Sequence, residues 1–502
     1  MLEIRNITLT LERDGEPVAL LDDVSFNIPP GHLLAIVGPS GCGKTTLLKV
    51  IAGLKEEDEG EVRWDGRNLA HEGDLHPSEL GYVPQFSIAH ELLTVEECIA
   101  SAIALRTRQP DEETTCQLVG ETLTQTGLAA LAERRVKVLS GGQKRRLGLA
   151  LELVTNPALL LCDEVTSGLD PKSEREITQL LHDLARQNKN RIVISVTHSL
   201  ANLSLYDSIL VLHEGRVVYH GPPRALTHYF SIDQTEDVYP KLASRGSDRW
   251  ASSWSRHRDD YYAVYKLSSK KPGAGSGNEP ELVTDREPGR VKLPVARTDE
   301  NDSDDKAAKK KSDGKAARNK EAVEPSPHEI SSEHQLPGFI AQTRELLQRR
   351  WLIFRRDLAQ VWLHAAMLVG FPLLVVIFGY QGIKPLSKLP DRPDKDFAAE
   401  IKMRQSHEAE LLRTGGLVSG LIMFQVVLVT LMASNNAARE IAGERVILER
   451  ERLGGLRPAA YLASKILFLG VFVLAQALWM GLFVEMVCHG IPGDPRGNCF
   501  CW

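Results

Sequence analysis

Leu33-Leu34-Ala35-Ile36-Val37-Gly38-Pro39-Ser40-Gly41-Cys42-Gly43-Lys44-Thr45-Thr46 decides the fold of the amino-terminal half. Its first five residues are an apolar run of buried-strand length. Gly38 to Thr45 fit the pattern G-x-x-x-x-G-K-[ST], and Thr46-Leu47-Leu48-Lys49-Val50-Ile51-Ala52 reads as a helix. Strand, glycine-rich loop and helix in that order make an anion cradle. The glycines let backbone N–H groups close around phosphate oxygens, and the helix N-terminus adds positive potential. Lys44 is expected at the β- and γ-phosphates of a nucleotide, and the Thr45 hydroxyl at Mg²⁺.

Two further strands carry chemistry. Leu159-Leu160-Leu161-Cys162 is apolar and ends in Asp163-Glu164. Asp163 suits a metal shell, and Glu164 suits a general base that polarises the attacking water. Arg191-Ile192-Val193-Ile194-Ser195-Val196-Thr197 reads as a third strand, with His198 next. An acidic pair at a strand end is by itself an ordinary entry into solvent, and a lone histidine is ordinarily structural. Their order after the glycine-rich loop gives them meaning.

Leu139-Ser140-Gly141-Gly142-Gln143 lies between the loop and the acidic strand. With it, residues 1–230 resemble the ATP-binding cassette (ABC) family, an α/β P-loop NTPase fold. The resemblance implies ATP held by Gly38, Pro39, Ser40, Gly41, Cys42, Gly43, Lys44, Thr45 and Thr46. It implies Mg²⁺ at Thr45, Asp163 and Gln85, and catalysis by Glu164, His198 and Gln85. Gln85, in Tyr82-Val83-Pro84-Gln85, matches the Q-loop glutamine that senses Mg²⁺ and contacts the membrane domain. Leu139, Ser140, Gly141, Gly142 and Gln143 match the signature, which binds the γ-phosphate of ATP held by the opposite cassette. Ser167, Gly168, Leu169 and Asp170 match the D-loop, and His198 the switch histidine. One loop and one signature per chain imply that two chains associate, as a homodimer or with a related partner. One departure stands out: the family often stacks an aromatic residue on adenine upstream of the loop. Ile7-Thr8-Leu9-Thr10-Leu11-Glu12 supplies none, so the adenine contacts are unassigned.

At 502 residues the chain is expected to hold more than one domain. A formal net charge of −6 gives no argument for nucleic acid as a partner. The seven cysteines show no metal-ligand spacing, and Cys42 and Cys162 read as small packing residues. Met1-Leu2-Glu3-Ile4-Arg5 does not read as a cleaved signal peptide, so a cytoplasmic cassette is expected.

The cassette is expected to close with a hairpin over residues 211–219. An aromatic extension follows over 231–267, with Trp250, Trp254, Tyr261, Tyr262 and Tyr265. It reads as helices packed on the cassette, with a separate binding surface as the rival. Residues 268–336 are rich in Ser, Lys, Glu, Asp, Gly and Pro, which suits a disordered charged linker. Its Lys309-Lys310-Lys311 run is either solvated or set against anionic lipid headgroups.

Residues 337–356 read as a basic amphipathic elbow helix on the cytoplasmic membrane face, with Trp351 as interfacial anchor. Residues 357–487 read as an α-helical transmembrane region with spans at 358–380, 414–434 and 466–484, and 488–502 as a non-cytoplasmic tail. His364 is expected to face neighbouring helices. Both connecting loops are basic, so they do not orient the spans. The attached cassette does. Residues 439–452 carry acids and bases at helical spacing, which suits a solvent-laced helix. Through Gly454, Tyr461 and Lys465 this stretch also resembles the first cytoplasmic loop of G-subfamily (White-type) and related ABC-2 exporters, where it docks on the cassette.

The expected function is therefore ATP-driven export by an integral membrane half-transporter with a second such chain and membrane lipid as partners. That family's membrane half has six spans against three read here. A shortened chain or a separate polypeptide with the remaining spans accounts for the difference. The rivals are a lipid, polysaccharide or import ATPase with a separate permease, and a soluble ABC ATPase.

Overall fold

The computed structural model describes residues 1–13, 16–72, 75–85, 89–108, 111–268, 336–370 and 441–488, with single residues between 373 and 438. The chain divides into two compact units, Met1–Ser87 with Asn156–Gln335 and Ile88–Thr155 with Leu336–Trp502. This division cuts across the linear one read from the sequence, which kept residues 1–230 together.

The first unit contains two sheets. Strands β1 (Leu2–Arg13), β2 (Glu16–Ile28), β4 (Glu59–Trp64) and β5 (Arg67–Asn68) form an antiparallel sheet in the order β2-β1-β4-β5. Strands β3 (Leu33–Val37), β6 (Leu80–Val83), β7 (Leu159–Asp163), β8 (Ile192–Val196), β9 (Ser208–His213) and β10 (Arg216–Gly221) form the other, in the order β10-β9-β3-β8-β7-β6. Its pairs are parallel except for the β9–β10 hairpin. β3, β7 and β8 are buried at every position, which is why they read as unbroken apolar runs. Because β3, β8 and β7 are neighbours, Gly38, Thr197-His198 and Glu164 leave the sheet side by side at its carboxyl edge. That edge is where open parallel sheets place their ligands.

Beyond β10 the aromatic extension is core. Tyr219 lies 5.3 Å from Tyr229, 5.5 Å from Trp254 and 5.9 Å from Tyr261, between ring centroids. Trp250, Trp254 and Tyr261 are all buried, and the side chain of Tyr265 lies outside the described residues. Replacing Trp250 by alanine deletes a ring that is 2% exposed. We expect a loss of roughly 3–5 kcal/mol in unfolding free energy, read as a lower denaturation midpoint of the purified chain. A wild-type midpoint would contradict this packing.

The second unit is helical. Helices Val95–Arg106, Glu112–Gln125 and Gly141–Leu153 share a core through Ile99, Ile103, Leu123, Leu147 and Leu151. The helix Phe339–Arg356 occupies the expected elbow segment. It buries Gln342, Leu346, Arg349 and Ile353, one stripe at helical spacing. The Gln342 amide nitrogen donates to the carbonyls of Leu105 at 3.2 Å and Gly455 at 3.1 Å, and its oxygen accepts from the Arg457 N–H at 3.1 Å. Trp351, expected as an interfacial anchor, packs 5.2 Å from Phe468 and 5.7 Å from Phe472.

Charge is buried along the same stripe. Arg349 forks onto Glu451 at 2.6 and 2.9 Å, and Arg106 onto Glu152 at 2.9 and 3.0 Å. Arg450 lies 3.8 Å from Glu152 and 3.9 Å from Glu451. At the end of the elbow helix Arg356 forks onto Glu97 at 2.5 and 2.7 Å. The expected solvent-laced helix therefore holds only in part. Arg445 and Glu449 pair in solvent, whereas Arg450 and Glu451 are buried because Arg349 and Glu152 supply counter-charges. Two-bond forks of this kind offset the desolvation of both partners, which a single bond does not.

Pro458–Phe483 is the one helix among the described residues that is long and apolar enough to cross a membrane, with a mean hydropathy of 2.3; Leu358–Gly370 is a shorter apolar helix. The full helix is Pro458–Cys488, longer than the span read from Ile466 onward. Proline is tolerated in its first turn, and Lys465 is taken inside it by a 2.6 Å pair with Glu444. The linker 269–335, residues 374–408, about half of the expected span 414–434 and the tail after 488 lie outside the described residues.

Burial pushes the Glu451 carboxyl up, but the Arg349 fork outweighs it and holds the group at about 2 against an ordinary 4.5. A carboxylate depressed in the folded state stabilises above its unfolded pKa, and that contribution is lost as pH falls through the folded one. The thermal midpoint should therefore drop between about pH 4.5 and 2, and less steeply for Glu451→Gln. At neutral pH Glu451→Gln should cost roughly 3–5 kcal/mol, because Arg349 is left buried without its charge partner. Equal midpoints of variant and wild type at pH 7 would contradict the fork.

Candidate functional site

The glycine-rich loop takes its shape from contacts that exclude side chains. Gly43 has φ 101°, and a Cβ there would meet the Leu20 carbonyl oxygen at 2.5 Å. A Cβ on Gly38 would meet the Leu212 carbonyl oxygen at 2.2 Å. The loop tip is open: Ser40 and Gly41 are exposed, and a Cβ on Gly41 would meet nothing within 4 Å. The following helix, Lys44–Ile51, has Gly43 at its cap and no acid in its first turn, so its positive end is uncancelled. Lys44 Nζ donates to the carbonyls of Gly38 and Pro39 at 2.9 Å each, which fixes the ammonium on the loop. Cys42 and Cys162 are buried, and burial raises the Cys42 thiol. Both fit the packing role read for them.

The acidic strand end meets the loop directly. Thr45 Oγ1 donates to Asp163 Oδ1 at 3.0 Å, and the Tyr82 hydroxyl donates to Asp163 Oδ2 at 3.4 Å. Burial raises the Asp163 carboxyl, with the charge of Glu164 adding to the rise and the Thr45 bond opposing it. Among the described residues no three His, Cys, Asp or Glu side chains cluster as metal ligands. A hydroxyl and one carboxylate converging beside a phosphate loop are oxygen donors of the kind that suits Mg²⁺.

Glu164 is the junction of the site. Its backbone sits at φ 49°, a left-handed conformation. Two hydrogen bonds fix it: Glu164 N–H to the Val196 carbonyl at 3.1 Å, and Ser167 N–H to the Glu164 carbonyl at 3.0 Å. Its side chain accepts twice. Gln85 Nε2 donates to Oε2 at 2.7 Å, and His198 Nε2 lies 2.5 Å from Oε1. The structure thus brings Gln85, His198 and Glu164 together, with Asp163 and Thr45 adjoining. Ser167, Gly168 and Asp170 are exposed, and Asp170 caps the helix Pro171–Gln187 by accepting from Lys172 N–H and Ser173 N–H at 3.1 Å each.

In the second unit, Ser140 opens the helix Gly141–Leu153 through a reciprocal cap. Ser140 N–H donates to Gln143 Oε1 at 2.9 Å, and Gln143 N–H donates to Ser140 Oγ at 3.3 Å. Leu139 is buried and anchors the turn, whereas Ser140 and Gly141 are exposed. An exposed hydroxyl and two glycines at an acid-free helix N-terminus form an anion-facing surface. Sequence reasoning missed Tyr82 at Asp163, because an aromatic residue in an all-buried strand carries no signal of its own.

A family model for ABC transporters matches residues 21–167. The ABC transporter ATP-binding/permease protein Rv1747 of Mycobacterium tuberculosis is 37% identical over 245 residues, 48% of this chain and 28% of that protein. The sulfate/thiosulfate import ATP-binding protein CysA of Burkholderia mallei is 39% identical over 228 residues, 45% of this chain and 63% of that protein. The match thus spans less than two thirds of either relative. The taurine import ATP-binding protein TauB of Pseudomonas aeruginosa is 35% identical over 227 residues, 45% of this chain and 81% of that protein. A solved dimeric structure of MJ0796, a bacterial ABC transporter cassette, is 30% identical and covers 45% of this chain and 99% of its own, with a TM-score of 0.41. With 81% of TauB covered at 35% identity, the chain belongs to the ABC transporter family, whose cassettes bind ATP with Mg²⁺ and hydrolyse it.

Proposed function

We propose that this chain is the ATP-hydrolysing subunit of a membrane exporter that works as a pair of chains. The observation that carries the hydrolytic reading is the Glu164 carboxylate held at both oxygens, by Gln85 at 2.7 Å and His198 at 2.5 Å. Lys44 and the backbone N–H groups of the loop bind the β- and γ-phosphates. Thr45 and Asp163 would hold Mg²⁺, which would supply positive charge to neutralise the phosphates. Glu164 takes a proton from water as the water oxygen bonds to the γ-phosphorus. The bond from that phosphorus to the β–γ bridging oxygen breaks, leaving ADP and phosphate. His198 and Gln85 keep the carboxylate aimed. Ser140, Gly141 and Gly142 serve the γ-phosphate of the partner chain's ATP.

Export in a G-subfamily arrangement draws on the second unit. There Arg356 of the elbow helix forks onto Glu97 of the helix Val95–Arg106, Arg106 onto Glu152 of the helix Gly141–Leu153, and Arg349 of the elbow helix onto Glu451 of the 441–453 helix. Tightly packed charge pairs transmit displacement as rigid bodies. The long apolar helix Pro458–Phe483 follows directly. Import is the second reading, favoured by the names of CysA and TauB. Those matches take in 45% of this chain each, and the chain also carries the apolar helix Pro458–Phe483.

Two outcomes test the reading. Glu164→Gln should bind ATP as tightly as wild type and lose at least about 100-fold in turnover, the scale of a removed general base; undiminished turnover would remove Glu164 from that role. The full chain should also stay in the membrane pellet after alkaline carbonate extraction, and release into the supernatant would contradict an integral membrane subunit.

A further inference from the structure

We propose that Tyr239, from the extension beyond the last strand, is a positioning residue for hydrolysis that holds the backbone of His198 in place. The inference rests on the reading of His198 and Glu164 as the hydrolytic pair. The Tyr239 hydroxyl donates to the His198 carbonyl at 3.2 Å. That contact comes where the chain leaves the sheet. Thr197 N–H still donates to the Ile36 carbonyl at 3.1 Å, the last bond that ties this strand end to β3. Past it, Ser199 N–H turns back onto Thr197 Oγ1 at 3.1 Å, and that hydroxyl also lies 3.3 Å from Thr166 Oγ1. Tyr239 supplies an external brace at residue 198. The histidine ring that this backbone carries lies 2.5 Å from Glu164.

Tyr239 is itself rigidly presented. It sits in the short helix Val238–Ala243, between Val238 and Leu242, both 0% exposed. The Leu242 carbonyl accepts from Trp250 Nε1 at 3.3 Å, which ties this turn to the aromatic core around Tyr219. Burial raises the phenol to about 12, and the Gly38 N–H opposes that rise. It therefore remains a donor at physiological pH. The extension's aromatic packing then has a consequence at the nucleotide site: it sets where one hydroxyl stands.

The test is Tyr239→Phe in the full chain, which keeps the ring and removes the hydroxyl. The loss of one hydrogen bond corresponds to about a two- to tenfold fall in kcat, with KM for ATP and the thermal midpoint unchanged. Single-turnover hydrolysis in the His198→Ala background then separates positioning from structure, since it resolves slow variants. If Tyr239 acts through His198, adding Tyr239→Phe there changes nothing further. A wild-type kcat for Tyr239→Phe overturns the proposal. So does a fall of the same factor in both backgrounds, which would make Tyr239 a structural residue independent of His198. The underlying pair fails by a different result, undiminished turnover of Glu164→Gln, so the two failures are distinguishable.

Discussion

The meeting of Gln85, Glu164 and His198 depends on one carboxylate having both oxygens engaged. Glu164 accepts from Gln85 on one side and meets His198 on the other, and each partner comes from a different strand end. A carboxylate with one free oxygen rotates; one held at both presents a fixed lone pair to a water molecule. The left-handed backbone at Glu164 is part of the same constraint. Such a conformation costs of order 1–3 kcal/mol unless the surroundings fix it. Here two backbone hydrogen bonds do so. The parallel order β3-β8-β7 is what makes this geometry available, since it puts loop, histidine and acid on adjacent strands.

A second constraint governs the helical unit. Arg106, Arg349 and Arg450 are buried there with Glu152 and Glu451 as counter-charges. Removing one member of such a pair leaves an uncompensated charge, so the pairs fix which helices pack together more than they add stability. The pairing joins residues near 100 and 150 to residues near 350 and 450. In a transporter, these helices would have to move together.

The phosphate loop, the acidic strand end and the histidine were legible because each is a short motif whose chemistry requires fixed spacing after an apolar strand. Lys44, Thr45, Asp163 and Glu164 stand where that spacing put them. The charged forks were not legible. Glu451 reads as one of many acids in a solvent-laced helix, and only the long-range partner Arg349 makes it a buried group. Tyr239 was likewise hidden, because its partner is a backbone carbonyl and a carbonyl leaves no trace in sequence. The long apolar helix begins before the uncharged span read from Ile466, for a related reason. Lys465 breaks an apolar count, yet Glu444 neutralises it inside the helix.

The central claim is that Gln85 and His198 act by aiming Glu164. Single-turnover ATP hydrolysis by the full chain tests it when Gln85→Ala and His198→Ala are made in wild type and in a Glu164→Ala background. Each substitution should slow the wild-type chain and leave the residual rate of Glu164→Ala unchanged. If either cut that residual rate by the same factor as in wild type, it would act on the nucleotide independently of Glu164, and the shared carboxylate would not be the organising feature of the site.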